Sequence, residues 1–330
     1  MKSSEIKPEE LMDTYKSLSI EDKKIRMKHK DDFVEVSCPA CRRKDSDFAF
    51  VRSEYQFLEC NKCQTVYASP RPTSAALVEY LEKSKSYEFF AESIFPASEK
   101  TRRAEIFKPR VDFLLKYCSY FNTQTDVLVE IGAGFGTFCV EVKSRNVFEN
   151  IIAIEPSPKL AEKCRDRGLE VIDKPFGQVK LEEKLANVVV SFEVIEHVFD
   201  PRDFIHFCTT VLKNEGLLML TCPNMQGFDV ITLGTKSQSV AGGHLNMFNP
   251  KSIEILLNDF GLEVVDLSTP GKLDAELVRK SILSGEFDIS GQPFLKYILV
   301  DHWQTYMESF QKWLADSGLS SHMQVLARKG

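Results

Sequence analysis

Hydrophobic and polar positions divide the chain into unlike stretches. From residue 126 onward, short apolar runs alternate with longer amphipathic ones: 127–131, 150–155, 169–172, 187–191, 216–221, 262–267 and 322–328 have the length and composition of strands. The runs at 127–131 and 187–191 are apolar on both faces, as central parallel strands covered by helices must be. Helices fit between them: 137–144 with Phe138, Val140 and Val142, a stretch opened by Pro156-Ser157-Pro158 and closed by Gly168, one carrying Phe204, Val211 and Leu212, and one beginning near Pro250. This alternation predicts an α/β domain over 122–330 built on a doubly wound, seven-stranded sheet. Residues 270–320 interrupt it as a mostly helical insertion with Phe294, Tyr297, Trp303, Tyr306, Phe310 and Trp313, either a cap or dimer surface or simply core.

The first 121 residues are patterned differently. Residues 1–30 are charged, with only a weak helical pattern at Leu11, Tyr15 and Leu18, and read as a tail or short helix. Within 31–70, residues 47–52 and 54–58 alternate like hairpin strands and Val66-Tyr67 supplies a third. Ser69-Pro70-Arg71-Pro72 is a rigid extended linker, because each proline fixes its own φ and disfavours helix in the residue before it. Thr73 then caps a helix carrying Leu77, Tyr80 and Leu81. An aromatic, irregular stretch (Tyr87, Phe89, Phe90, Phe95) and an amphipathic one at 100–121 follow, so 71–121 reads as linker and lid helices, or as helices merely packed on the sheet.

Composition changes the picture in two ways. The 330 residues are 43% hydrophobic and 27% charged, without an apolar run of about 18 residues. The amino-terminal ten residues are polar and acidic rather than signal-like, so neither a membrane span nor export is expected and the cytoplasm is the expected compartment. The net charge is −6, and 31–70 holds five Lys or Arg against seven Asp or Glu. That leaves no electrostatic footprint for a phosphate backbone, so no nucleic-acid partner is expected.

Nine cysteines in a chain without an export signal favour metal ligation and reduced thiols over disulfides. Four of them, Cys38-Pro39-Ala40-Cys41 and Cys60-Asn61-Lys62-Cys63, form two C-x-x-C knuckles separated by 18 residues. Two thiolates three positions apart on a tight turn take adjacent corners of a tetrahedron, and two such turns close it, so 31–70 is expected to be a zinc ribbon with a structural site. Free or redox-active cysteines are the alternative.

Beyond the ribbon, Glu130-Ile131-Gly132-Ala133-Gly134-Phe135-Gly136 ends the first long strand in three alternate glycines, which let a ligand approach the backbone at a helix N-terminus. Glu155 ends the next strand, 19 residues after Gly136, where doubly wound folds grip ribose hydroxyls. His197 and His244 lie in the loops after the fourth and fifth strands of that sheet. Either has the pKa to take a proton near neutral pH, and His244, flanked by Gly242 and Gly243, is favoured; His197 could instead orient its loop.

E-x-G-x-G-x-G resembles the nucleotide-binding motif of class I S-adenosylmethionine-dependent methyltransferases, and Phe192-Glu193-Val194-Ile195-Glu196-His197 resembles the motif that follows the fourth strand in small-molecule methyltransferases. The resemblance implies a Rossmann-like sheet in which Glu130, Gly132, Gly134 and Gly136 hold the methionine end of the cofactor, Asp173 opens the adenine pocket, and Phe192 and Glu193 line the cofactor site. With the cysteine knuckles, the Pro-Arg-Pro linker and His244-Leu245-Asn246-Met247-Phe248, it is similar to bacterial methyltransferases of nucleotide-sugar and surface-polysaccharide pathways. Methyl transfer to an oxygen or carbon of a sugar or nucleotide-sugar is therefore expected. An RNA methyltransferase and a non-catalytic scaffold that keeps the fold are the alternatives.

Overall fold

The computed structural model describes residues 2–241 and 243–330, so the expectation that Gly242 flanks the His244 loop lies outside the described residues. Eleven strands run along the described chain: β1 (Ser46–Arg52), β2 (Tyr55–Cys60), β3 (Val66–Ala68), β4 (Val127–Ile131), β5 (Asn150–Ile154), β6 (Glu170–Ile172), β7 (Ala186–Phe192), β8 (Leu212–Pro223), β9 (Asn246–Met247), β10 (Leu262–Ser268) and β11 (His322–Lys329). Seven form one sheet in the order β10-β11-β8-β7-β4-β5-β6. All neighbours are parallel except β11, which runs antiparallel to both β8 and β10.

Alternate residues of the central strands face opposite helical layers, as the period of two demands. Val129, Ile131 and Val189 pack with Phe204, Ile205, Ile253 and Leu256 on one side. Leu128, Val188 and Val190 pack with Val111, Leu114, Phe138 and Val142 on the other. The chain leaves β4 through β5 to the β6 edge, then returns to β7 on the other side of β4. The crevice beyond the carboxyl ends of β4 and β7 is thus the topological switch point, where ligands of such sheets sit.

The second sheet, β1-β2-β3-β9, differs from a self-contained ribbon. Its fourth strand comes from the loop after β8, with Val66 paired to Met247 and Tyr67 to Asn246. Arg71 of the expected linker points inward at 1% exposure and clamps the joint. Its guanidinium donates to the carbonyls of Ala68, Phe199 and Leu245 and to Asn246 Oδ1, at 2.8–3.3 Å.

Residues 1–30 also depart from expectation. Glu9–Met27 is a 19-residue helix, and it is docked. Its buried Asp22 accepts from Ser84 Oγ (2.7 Å) and from the amides of Lys85 (3.0 Å) and Ser86 (2.8 Å), at the N-terminus of the helix Lys85–Phe89. Asp22 is the one fully buried side chain of Glu9–Met27, joined by Tyr15 against Phe90, Arg26 over Tyr80 and Met27 against the small-sheet core, so the contacts of this helix are scattered rather than gathered in one apolar stripe. The insertion after β10 is helical at Asp274–Leu283 and Trp303–Asp316 and has its own small core around Val278, Leu299 and Leu314. No helix among the described residues is long and apolar enough to cross a membrane.

Candidate functional site

The glycine turn after β4 folds onto the end of β5: the amides of Gly132 and Ala133 both donate to the Ile154 carbonyl. Gly132, Gly134 and Gly136 all have positive φ (78°, 56° and 73°), but they differ in surroundings. A Cβ on Gly132 would come within 2.4 Å of Val194 Cγ2, so that glycine lets the loop after β7 close over the turn. A Cβ on Gly134 would meet nothing within 4 Å, so its face is open to a ligand.

Glu155 is 4% exposed and accepts from the Gly134 amide (2.7 Å) and the Ser157 amide (2.8 Å). Burial pushes its carboxyl up to about 7 against the pull of those two amides. Glu130, in the middle of the sheet, accepts from the Cys139 thiol at 2.8 Å, and burial pushes it up to about 8. Asp173 follows β6, but its side chain is taken by Arg165 Nη2 at 2.9 Å. Phe192 packs edge-on against Phe138, with the Arg110 guanidinium 4.6 Å from its ring centroid. Glu193 has a φ of 57° and accepts from Thr221 Oγ1 at 2.7 Å. Burial would raise its carboxyl, yet His322, Arg110 and the Thr221 bond hold it below the ordinary value. The glycines, Glu130, Glu155, Phe192 and Glu193 thus gather around the switch point, whereas Asp173 stays at its rim.

The two histidines meet. Their rings are 4.8 Å apart at 70°, because the Leu245 and Asn246 amides both donate to the Glu196 carbonyl and tie one loop to the other. His197 Nδ1 lies 2.8 Å from the Gly243 carbonyl and His244 Nδ1 2.8 Å from the Ser239 carbonyl. A carbonyl only accepts, so each Nδ1 carries the proton and each Nε2 keeps its lone pair. Burial, with His244 alongside, lowers His197 to about 3, and burial likewise lowers His244.

Several residues here escaped the sequence pattern. Glu196 is buried beneath the histidines, Arg110 pairs with Glu193 at 3.6 Å and contacts His322 Nε2 at 3.1 Å, and Tyr87 stands close enough that burial and the Glu155 carboxylate raise its phenol. An E-H pair after a strand was the only signal available for Glu196.

The four cysteines converge as well. Cys38–Cys63, Cys41–Cys60 and Cys41–Cys63 sulfurs are 3.4, 3.5 and 3.5 Å apart. A tetrahedral zinc with Zn–S near 2.3 Å sets its sulfurs about 3.8 Å apart, so this cage is the right size for one. The Cys38 thiol, with the Thr65 hydroxyl 3.0 Å from the same sulfur, holds Cys63 below the ordinary thiol range, the direction that favours a metal-binding thiolate. Asn249 Nδ2 donates to the carbonyls of Cys63 (2.9 Å) and Gln64 (3.0 Å), and Arg202 Nη1 to that of Ala40 (2.8 Å), so both knuckles rest on the large domain.

A glycine turn, an acid after the second strand of the large sheet and a crevice at the switch point define a doubly wound nucleotide-type domain. The chain belongs to the methyltransferase-domain family, whose model matches residues 99–267, just over half its length. Two curated relatives, from two strains of Mycobacterium tuberculosis and each described as a probable S-adenosylmethionine-dependent methyltransferase, are 30% identical over 152 residues, 45% of this chain and 52% of theirs. The chain thus spans about half the length of the curated relatives it matches. Among solved structures, a SAM dependent methyltransferase from Archaeoglobus fulgidus aligns with a TM-score of 0.48 at 16% identity, over 72% of this chain and 100% of that one.

Proposed function

We propose that this chain transfers a methyl group from S-adenosylmethionine to an oxygen or carbon of a small molecule, a sugar or nucleotide-sugar of surface glycan biosynthesis. The observation that carries the transfer reading is the buried Glu155 joined to the open Gly134 turn in a chain of the methyltransferase-domain family. Gly134 offers room for the cofactor, and Glu155 keeps lone pairs for its ribose hydroxyls. Glu130, Gly132, Phe192 and Glu193 would line the cofactor site beside that turn, Gly136 closes the turn against Leu169 and Cys164, and Asp173 would stand at the adenine rim. The sugar acceptor rests on the motif resemblance.

In the reaction the acceptor oxygen or carbon attacks the methyl carbon in line, sulfur keeps the electron pair of the broken C–S bond, and the acceptor's proton leaves. Orientation supplies most of the rate, and Nε2 of His244 receives the proton, since burial lowers His197 to about 3 and leaves it a weaker base than its residue type suggests. The cysteine cage holds a structural zinc, since four thiolates leave no open position. The five cysteines outside it are buried and unpaired, which suits a reducing, cytoplasmic setting.

Calorimetric titration with S-adenosylhomocysteine tests the reading. Micromolar binding is expected, followed by a product one methyl heavier when nucleotide sugars are supplied with S-adenosylmethionine. No binding to the zinc-loaded protein overturns it.

A further inference from the structure

Glu196 is the least explained side chain in the molecule. It is 1% exposed, and neither carboxylate oxygen has a hydrogen-bond partner among the described residues. The nearest imidazole nitrogen, His197 Nε2, is 3.9 Å away, too far for a hydrogen bond. Burying an unpaired carboxylate is strongly unfavourable, and protonating it would leave an O–H with no acceptor. The group therefore calls for a partner that the described residues do not supply.

The surroundings specify that partner. One ligand atom each from Glu196, His197 and His244 lies within 4.8 Å of the others. Both imidazoles have Nδ1 committed to backbone carbonyls, the outer-sphere arrangement that aims Nε2 at a metal. The cluster is also rigid, since the Leu245 and Asn246 amides bind the Glu196 carbonyl and Arg71 braces Asn246 Oδ1 at 2.8 Å. Glu193 adds negative charge nearby, while Arg26 and Lys7 are the cations that face His244.

We infer that Glu196, His197 and His244 bind a divalent metal ion, separate from the cysteine cage, beside the loop that closes over the glycine turn. Two imidazoles and a carboxylate suit a borderline ion such as Mn2+, Co2+ or Zn2+, and three protein ligands leave positions free for acceptor oxygens. The inference rests on the methyl-transfer reading only for the ion's role. It refines that reading's base: both Nε2 lone pairs go to the ion, and an acceptor with two adjacent oxygens, such as a sugar diol, chelates there. Its hydroxyl is acidified, its proton passes to water, its oxygen forms the new C–O bond, and sulfur keeps the C–S electron pair.

Mn2+ is the discriminating probe, because it is too hard for the thiolate cage. Titration of the full-length, zinc-loaded protein followed by electron paramagnetic resonance should show one bound Mn2+ per chain. Glu196→Gln and His244→Asn should each weaken it at least tenfold, while calorimetry with S-adenosylhomocysteine confirms that both variants keep the wild-type cofactor affinity. Absence of Mn2+ and Co2+ binding outside the cysteine cage, or unchanged Mn2+ affinity in Glu196→Gln, overturns the inference. Mn2+ binding in a chain that ignores S-adenosylhomocysteine sustains the metal site and overturns methyl transfer instead.

Discussion

The cysteine cage and the Glu196–His197–His244 cluster are joined by the β3–β9 pair and by the hydrogen bonds of Arg71, Arg202 and Asn249, yet they are built in opposite ways. The cage draws its four sulfurs from two tight turns of one short segment. The second cluster has no such local origin. It exists because backbone amides of Leu245 and Asn246 bond the Glu196 carbonyl, and because Arg71, just after β3, bonds the Leu245 carbonyl and Asn246 Oδ1. The first cluster supports the fold around it; the second is supported by the fold. A ribbon that lends a strand partner to the segment after His244 therefore helps to hold that cluster in place.

Breaking the cage should have the largest effect. Cys63→Ser is expected to release zinc and cost more than about 4 kcal/mol, the range reached by loss of a structural metal. The ribbon should loosen first, and hydrogen exchange at Asn246 and Met247 should rise with it. Full metal content with an unchanged melting temperature would reject the cage.

Arg71→Ala tests the joint itself. It strips four acceptors of a buried charged donor and should cost about 3 kcal/mol, with zinc retained. Burial lowers Arg71 only to about 10, so it is charged at neutral pH. A thermal melt within 1–2 °C of wild type would mean that the two clusters are independent.

Gly134→Val addresses the cofactor side, which neither cluster contains. The side chain enters open space but must take a φ of 56°, which costs a β-branched residue about 1–3 kcal/mol, so the fold should survive at a lower melting temperature while affinity for S-adenosylhomocysteine falls on the order of 100-fold, about 2.7 kcal/mol. Retained affinity in calorimetry would remove the turn from its role.

pH separates the regions most gently. Glu130 and Glu155 have folded values raised from 4.5 to about 8 and about 7, so the folded state holds protons that the unfolded chain has lost, and their contribution falls as pH rises through those values. His197 is shifted the other way, from 6.5 to about 3, so its contribution is complete above 6.5 and is lost on acidification. Above pH 6.5 the raised carboxyls dominate, Glu196 among them, pushed up by burial and by Glu193. The ligand-free protein should therefore lose stability between pH 6.5 and 8, and Glu130→Gln should flatten that slope in melts taken at each pH.

Much of this was legible in advance where the signal is local. Apolar runs too short for helices marked the seven strands of the large sheet, paired C-x-x-C turns marked the cage, and alternate glycines followed by an acid marked the turn and Glu155. His197 and His244 stood out as loop histidines. Asp173 follows β6 as the strand pattern placed it, and its carboxylate pairs with Arg165 of the preceding helix. The helix Glu9–Met27 looked like a tail because its contacts are scattered around one buried Asp22 rather than gathered in an apolar face.

By itself the sequence determined which segments become strands and helices, where the thiols cluster and where the backbone must turn without a Cβ, because these depend on periodicity and on neighbours within a few positions. The tertiary structure alone decided that a two-residue strand, β9, completes the ribbon, that Arg71 turns inward, and that Glu196 is left buried without a donor beneath two histidines. Those outcomes depend on backbone hydrogen bonds and burial between segments far apart in the chain. Backbone amides and carbonyls are common to nearly every residue, so their pairing leaves no mark in the order of side chains.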